Sequence, residues 1–196
     1  MNNLEAASIK ERIILATITC MERDGIQSTT IRRIAREAGV NIAAINYYFR
    51  SKDRLIEEAL KATLEHVFSD WEQMLQAEKQ DFRGRLREIL TYTIEGMLRY
   101  PGITRAHLYD PLLQGSSDNP FVRRLNTFLN DLLATMEAEG PSATGVQLRL
   151  SLMQMMSAAT FVGLMPEFFG DFAGIDLTVP EARQTYVEHL VSHFLP

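Results

Sequence analysis

Two short helical segments separated by one glycine constrain this chain more than any other part of it. The segment Ser28-Thr29-Thr30 can supply the N-cap of a helix of about two turns that ends near Ala38. Gly39 then suits a tight turn that needs a positive φ angle. Asn41 can cap a second short helix, which ends at about Phe49. Two short helices joined by a tight turn predict a helix-turn-helix.

The residue types on these segments fit two helices that cross closely. Ile34 and Ala35 give the first helix an apolar and a small contact, and Ile45 and Phe49 anchor the second. The opposite side of the second helix would then enter a DNA major groove. Its residues are Asn41, Ile42, Ala43, Ala44 and Tyr47.

The segment TTIRRIAREAGVNIAAINYYFRSKDRL resembles the DNA-binding domain of the tetracycline-repressor (TetR-type) family of bacterial transcription regulators. The cap, the alanine, the Gly-Val turn, the Tyr-x-Phe pair and the Ser-Lys pair are in register over about residues 8–60. The resemblance implies phosphate contacts from Thr30, Tyr47, Tyr48 and Lys52. It implies base-edge contacts from Asn41, Ile42, Ala43 and Ala44, and a contact at the groove margin from Arg32 or Arg33.

Two positions depart from the family pattern. Asn46 stands where the family often has tyrosine, and Tyr48 stands where it often has histidine. Either difference could change the operator sequence or a phosphate contact. The groove side also carries little hydrogen-bonding capacity, so methyl contacts, a marginal arginine and DNA shape are expected to contribute to specificity.

The same residues have ordinary structural interpretations. Phe49 is expected in the core, and Tyr47 and Tyr48 cannot both face inward beside it, so at least one hydroxyl should be exposed. Lys52 could be merely solvated, but its place at a helix N-terminus beside the motif favours a phosphate.

Charge is distributed unevenly along the chain. The net charge of the 196 residues is −5, yet residues 29–55 hold six basic and two acidic side chains. A basic segment on an acidic protein suits a DNA reader attached to a larger body. Cys20 is the single cysteine, which favours a reducing compartment, and no segment reads as a signal or membrane span. We therefore expect a cytoplasmic protein without a membrane partner.

The remaining sequence predicts an all-α protein of about nine helices, with a helix-turn-helix domain at 1–51 and an effector-binding and dimerisation domain at 52–196. Apolar residues recur at helical spacing from Lys52 to Glu78. Pro and Gly residues separate the later predicted helices. These are at about 82–99, 103–114, 120–138, 143–165 and 181–194, and residues 166–179 form the longest predicted loop.

Several side chains with apolar bulk and polar tips could line an effector cavity, although each could equally belong to the core. They are His66, Trp71, Met74, Met97, Tyr100, His107, Tyr109 and Phe128. Two rival functions follow from other readings of the sequence. One is an α-helical enzyme using His66, His107 or Tyr109, and the other is a ligand-independent DNA-binding protein.

The run LMQMMSAATFVGLM is apolar nearly all round a helix, so it predicts a subunit interface or a pocket. His189 and His193 have a spacing that can chelate a metal. No cysteine or HExxH pattern accompanies them, so no metal and no cofactor are predicted.

These features together predict a homodimeric repressor that a small apolar or aromatic effector releases from a palindromic double-stranded operator. Pro101-Gly102 precedes the 103–114 helix. In the resembling family, the helix at this place lies between the effector pocket and the long fourth helix. An effector pressing on it could therefore tilt the fourth helix and change the spacing of the DNA readers.

Overall fold

The computed structural model describes residues 8–77, 81–115, 118–139 and 145–195. These residues form ten helices and no strand, which confirms the predicted all-α class. The helices are α1 (Ile9–Asp24), α2 (Ile31–Ala38), α3 (Ile42–Phe49), α4 (Lys52–Leu75), α5 (Phe82–Arg99), α6 (Pro101–Gln114), α7 (Pro120–Glu139), α8 (Gly145–Leu164), α9 (Gly170–Ala173) and α10 (Pro180–Phe194).

The helix bounds depart from the prediction in three places. Helix α4 ends at Leu75, whereas the predicted helix continued to Glu78. Helix α6 begins at Pro101 rather than at residue 103, because proline is well suited to the first position of a helix. The predicted loop 166–179 contains the single turn α9, which Gly174 closes with a φ of 62° and a hydrogen bond to Gly170 O of 2.9 Å. The predicted breaks at Ser116-Ser117 and Gly140-Pro141, Glu78 itself and the helix start at 143 lie outside the described residues.

The chain divides into two compact units. Unit 1 lies within residues 1–66 and 100–120, and unit 2 lies within residues 67–99 and 121–196. Helix α4 therefore contributes its first part to unit 1 and its last part to unit 2. The predicted functional division at residues 51 and 52 stays a prediction.

A small apolar core holds the first three helices of unit 1 together. Ile13 of α1, Ile34 of α2, Ile45 and Phe49 of α3, and Leu55 of α4 are all buried in it. Full burial of one such side chain contributes about 1.5–3 kcal/mol. Because α2 and α3 have only eight residues each, this shared core supplies stability that their own backbone hydrogen bonds cannot.

Helix α6 approaches the end of α1 closely within unit 1. The backbone amide of Ile103 donates to the Glu22 carboxylate at 2.9 Å. A Cβ atom placed on Gly102 would lie 2.3 Å from the carbonyl oxygen of Glu22. Only glycine allows this approach, since the obstacle is backbone that cannot rotate away. Met21, Ala59 and Ile103 bury a second apolar cluster beside the contact.

Unit 2 is built mainly on α5, which packs against α8 and α10. Ile89 and Leu90 of α5, Met155 of α8 and Val191 of α10 are fully buried. The last part of α4 and helix α7 bury a cluster of aromatic rings in the same unit, called here the aromatic cluster. It consists of Phe68, Trp71, Phe121 and Phe128.

Gly102→Ala should lower the free energy of unfolding by about 1–3 kcal/mol, because overpacking against fixed backbone forces α6 away from α1. Gly96→Ala is the matched control, since Gly96 lies inside α5 and a Cβ there meets nothing within 4 Å. That change should stabilise the protein by about 0.5–1 kcal/mol through helix propensity. Chemical denaturation measures both variants, and equal effects on stability would contradict the close approach at Gly102.

Candidate nucleic-acid interface

Both ends of α2 are closed by hydrogen bonds from neighbouring residues. Thr30 accepts a hydrogen bond from the Arg33 amide at 3.3 Å and so caps the N-terminus. Gly39 has a φ of 64° at the C-terminus, a conformation that favours glycine. The Arg12 guanidinium of α1 donates to the Ala38 carbonyl at 2.7 Å. The turn between α2 and α3 is therefore determined from both sides.

Helix α3 has an exposed side opposite its buried anchors. Ile45 and Phe49 are buried, whereas Ile42, Ala43 and Tyr47 are exposed. Ala44 is half-buried, at the edge of the exposed side. Small side chains at this place would let a helix backbone come close to base edges, as groove-reading helices do.

Asn41 caps the N-terminus of α3 and also carries an amide group that could contact DNA. Its side-chain oxygen accepts a hydrogen bond from the Ala44 amide at 2.8 Å and caps the helix. The oxygen is thereby engaged, so its amide nitrogen is the group left to donate to a base or a phosphate. The base contact predicted for Asn41 stays a prediction.

The two tyrosines of α3 both lie at the surface. Tyr47 is 80% exposed and Tyr48 is 41% exposed. Their rings meet edge to face, with centroids 5.1 Å apart. The sequence required only one exposed ring; the structure exposes both, and this arrangement permits the phosphate contacts predicted for them.

The two arginines predicted at the groove margin have different surroundings. Arg33 donates to Asp24 at 3.2 Å and to the Ser28 carbonyl at 3.2 Å. Arg23 also binds Asp24, and this hydrogen bond is the largest cause that lowers the carboxyl's pKa. Arg32 and Arg33 are both exposed, and Arg33 links α2 to α1 through its contacts. Arg32 is the better placed of the two for a DNA contact.

Arg50, a cation that the prediction did not include, lies between α3 and α4. Lys52 is the half-buried first residue of α4, and the Ser51 hydroxyl accepts from the Arg54 amide at 3.2 Å. Arg50 just before them is exposed and has a φ of 63°. A large side chain in this conformation is uncommon and is often retained at functional sites. The position of Arg50 directly after the recognition helix could have signalled it.

The predicted effector residues of unit 1 do not form one group. His66 and Tyr100 are exposed. Tyr109 of α6 accepts a hydrogen bond from Gln27, which lies between α1 and α2. His107 of α6 lies 2.9 Å from the hydroxyl of Thr63 on α4. Tyr109 and His107 thus join α6 to the elements around the DNA reader.

His107 is held neutral by its surroundings. Thr63 donates its hydroxyl proton to the Leu60 carbonyl at 2.9 Å, so His107 must donate to Thr63 through Nε2. Burial lowers the pKa of His107 to about 4. The neutral imidazole is then part of the contact between α6 and α4.

Two predicted effector residues of unit 2 meet in the aromatic cluster. The rings of Trp71 and Phe128 have centroids 5.0 Å apart. Trp71 is 3% exposed, and its indole nitrogen has no hydrogen-bond partner within the described part of the chain. Met74 is half-buried on α4, and Met97 lies against Gly163 of α8. The assignment of all eight side chains to an effector site stays a prediction.

An open cleft of about 480 Å³ also lies within unit 2. Its lining is largely polar and includes none of the eight predicted effector residues. The lining residues are Glu72, Leu75, Gln76, Arg85, Asp131, Thr135 and Glu139. A cleft of this composition does not suit an apolar ligand.

Comparison with known proteins supports the DNA-binding interpretation. Residues 13–59 match the family described as bacterial regulatory proteins, tetR family. This match covers α1, α2, α3 and the start of α4. The predicted family resemblance is confirmed. No helix in the described part of the chain is long and apolar enough to cross a membrane.

Two curated relatives are HTH-type transcriptional regulators. The HTH-type transcriptional regulator BetI of Vibrio atlanticus is 32% identical over 88 residues, which is 44% of this chain and 44% of the relative. The HTH-type transcriptional regulator BetI 2 of Chromohalobacter salexigens is 27% identical over 198 residues, with 94% of this chain and 89% of the relative covered. The chain thus spans less than half the length of the first relative and most of the second.

A solved structure shows the same fold along almost the whole chain. It is the transcriptional regulator FadR from Bacillus subtilis, determined in complex with stearoyl-CoA. The TM-score is 0.63 at 15% identity, and the match covers 94% of this chain and 97% of that one. The likeness extends to unit 2, beyond the residues that match the family model.

Acidification should destabilise the protein through His107. The unfolded chain binds a proton at this side chain near pH 6.5, whereas the folded chain does so only near pH 4. The contribution of the neutral imidazole is fully present above pH 6.5 and is lost as the pH falls toward 4. Between pH 7 and pH 5 the free energy of unfolding should drop by about 2 kcal/mol from this group.

His107→Gln should remove this part of the pH dependence in urea unfolding at the two pH values. Thr63→Val is the matched control: it deletes the hydrogen bond but keeps the burial that lowers the pKa. Its stability should be lower at both pH values, with the wild-type difference between them. A wild-type pH dependence in the glutamine variant would contradict this role of His107.

Proposed function

We propose that this chain, which is a TetR-type DNA-binding transcription regulator, is a homodimeric repressor released from a palindromic operator by a small apolar or aromatic effector. One observation carries the proposal. Helix α3 is capped by Asn41 and anchored by Ile45 and Phe49, and it presents Ile42, Ala43 and Tyr47 on its exposed side. A rigidly held helix with a small-residue outer side is suited to a major groove.

Phosphate contacts and base contacts divide between different parts of this surface. Lys52, Tyr47 and Tyr48 offer a cation and hydroxyls to the backbone of the duplex, with Arg50 as an added cation. Ala43 and Ala44 offer methyl groups to base edges. Contacts to phosphate position a protein on DNA, and contacts to bases select the sequence.

The outer side of unit 2 supports self-association. Exposed residues recur on α8 at spacings of three and four, and we call them the α8 seam; they are Val146, Leu150, Met153, Ser157 and Phe161. A row with the same spacing on α10, the α10 seam, consists of the half-buried Ala182 and Tyr186 and the exposed His189 and His193. The two helices pack against each other in one protomer.

Rows spaced by three and four are typical of helices that pack against other helices. A two-fold pairing of these seams would form a four-helix interface and cover exposed apolar side chains. It would also produce two DNA readers, as a palindromic operator requires. We therefore assign the homodimer contact to α8 and α10.

The aromatic cluster supports an apolar or aromatic effector that binds in unit 2. Its four rings are apolar, and the Trp71 indole offers a buried donor that could meet an acceptor atom of a ligand. An unpaired buried donor is costly, so a ligand that accepts a hydrogen bond from it gains affinity. The Bacillus subtilis regulator of the same fold binds stearoyl-CoA, which supports ligand binding by this type of helical body.

The contacts inside unit 1 provide a route from α6 to the DNA reader. Helix α6 touches α1 at Gly102 and Ile103, reaches the loop before α2 through Tyr109, and reaches α4 through His107. A displacement of α6 would therefore change the placement of α1 and α4 together. We propose that effector binding moves α6, and that DNA and effector weaken each other's binding reciprocally.

A ligand-independent DNA-binding protein is the second candidate, because the polar cleft of unit 2 does not fit an apolar effector. Such a protein would bind its operator with the same affinity whatever compound is added. An enzyme is less well supported: His66, His107 and Tyr109 were the candidate catalytic groups, and His107 is engaged with Thr63 while His66 is exposed.

Operator binding should separate phosphate contacts from base contacts. Lys52→Ala should weaken binding to every duplex alike and should reduce the slope of log affinity against log salt by about 1. Ala44→Ser should instead change the preference between operator variants by about tenfold, since it alters the surface offered to a base. Fluorescence anisotropy with an operator selected from random duplexes measures both.

Lys61→Ala is the matched control for the lysine variant. Lys61 lies on α4 in the same unit, is exposed, and faces Glu65 at 3.8 Å, so its removal should leave DNA affinity unchanged. Equal and weak binding of the wild-type protein to every duplex at physiological salt would refute a specific operator.

Trp71→Phe should weaken the response to an effector while leaving operator affinity near the wild-type value. The change keeps an aromatic ring in the cluster but deletes the buried donor. The effector is first found as a compound that raises the melting temperature of the wild-type protein. The ratio of operator dissociation constants with and without that compound should fall by about tenfold in the variant, which corresponds to one lost hydrogen bond.

Phe82→Leu is the matched control, because it removes ring volume from a buried position of unit 2 outside the aromatic cluster. It should lower the melting temperature but keep the wild-type ratio. A folded Trp71→Phe protein with an unchanged ratio would exclude Trp71 from the effector site.

A further inference from the structure

Two histidines stand side by side on the outer surface of α10. His189 and His193 are both exposed, and their rings are nearly parallel, with centroids 6.5 Å apart and an interplanar angle of 20°. Side chains four residues apart lie on one side of a helix. Rotation about exposed side-chain bonds can bring the two ring nitrogens to the spacing of a shared metal ion, about 3 Å, given metal–nitrogen bonds of about 2 Å.

The spacing of the two histidines alone does not predict a metal site. Their position on the proposed homodimer surface favours one. Both histidines belong to the α10 seam, after Ala182 and Tyr186 at steps of four, three and four residues. The seam lies on the proposed homodimer surface. Polar side chains in a packing row between helices are costly unless they find a partner, so a second copy of the chain must satisfy these imidazoles.

The acidic neighbour of the pair is engaged elsewhere. Glu188 pairs with Arg87 of α5 and accepts a hydrogen bond from Ser192 at 3.1 Å. It is therefore held toward α5 instead of joining the histidines. Within one protomer, the described residues contain no group of three His, Cys, Asp or Glu side chains placed to hold a metal ion. Further ligands must come from another molecule.

We propose that His189 and His193 of two protomers bind one transition-metal ion, such as Zn²⁺, at the homodimer interface. Four imidazoles satisfy the four-coordinate, nitrogen-preferring geometry of zinc. In a two-fold dimer, the residues next to the axis meet their own copies. We place the histidine pair there, so that two histidines from each chain supply the full set. The site rests on the proposed dimer and is incomplete in a single protomer.

Such a site makes dimer stability depend on the metal. An ion that binds only the dimer strengthens association by mass action. With free Zn²⁺ at about ten times its own dissociation constant, the dimer dissociation constant should fall about tenfold. DNA binding by the dimer would then depend on the zinc concentration, because zinc shifts the monomer–dimer equilibrium.

The test uses the full chain without a polyhistidine tag, treated with a chelator and then dialysed against zinc chloride. Metal content is measured by mass spectrometry, and the dimer dissociation constant by sedimentation with and without zinc. The expected result is one zinc ion per dimer and a dimer about ten times tighter with zinc. His189→Gln and His193→Gln should each abolish both effects while keeping the wild-type melting temperature in chelator.

Gln184→Ala is the matched control, since Gln184 is exposed on α10 outside the seam; it should keep both effects. A zinc-free dimer that retains no metal would overturn the site and leave the dimer proposal standing. One zinc ion per protomer without a change in association would overturn the bridging arrangement. A protein that stays monomeric at micromolar concentration with and without zinc would overturn the site and the dimer together.

Discussion

Helices α2 and α3 are too short to persist alone, so the DNA reader depends on the apolar core shared by the elements around them. Isolated helices below about 12–15 residues are marginal in water. Ile34 and Ile45 come from the two short helices and are buried against Ile13 of α1 and Leu55 of α4. The long helices thereby hold the short ones at a defined crossing. Loss of this core would therefore disrupt the surface of α3 even if every residue on that surface were unchanged.

The caps of the short helices limit how this surface can read DNA. Thr30 and Asn41 use side-chain oxygens to close helix N-termini. Both were predicted DNA contacts, so the groups they can still offer a duplex are fewer than their residue types suggest. Arg50 has a positive φ angle, a backbone conformation that is energetically unfavourable for a residue with a large side chain. If these residues contact DNA as predicted, the same few atoms serve both stability and recognition.

Interactions close in sequence were predicted well. The caps within Ser28-Thr29-Thr30 and at Asn41, the turn at Gly39 and the anchors Ile45 and Phe49 follow from short-range rules of helix formation. The structure has each of them, with Thr30 as the residue that caps α2. Contacts distant in sequence were not predicted. The pairing of Arg33 with Asp24 and the hydrogen bond between Gln27 and Tyr109 join side chains whose approach depends on how helices cross. The predicted DNA and effector contacts stay predictions, because no residue pattern reports what a surface binds.

The sequence by itself determined the all-α class, the ends of the two short helices and the nature of the DNA-binding segment. Those properties follow from residue spacing, from capping side chains and from the conformations available to glycine and proline. Only the tertiary structure decided that Gly102 must be glycine, since the obstacle is the backbone of Glu22 on another helix. It also decided that His107 is neutral and that Trp71 has a buried donor. Burial and close approach arise from the packing of distant segments, and the local sequence does not contain them.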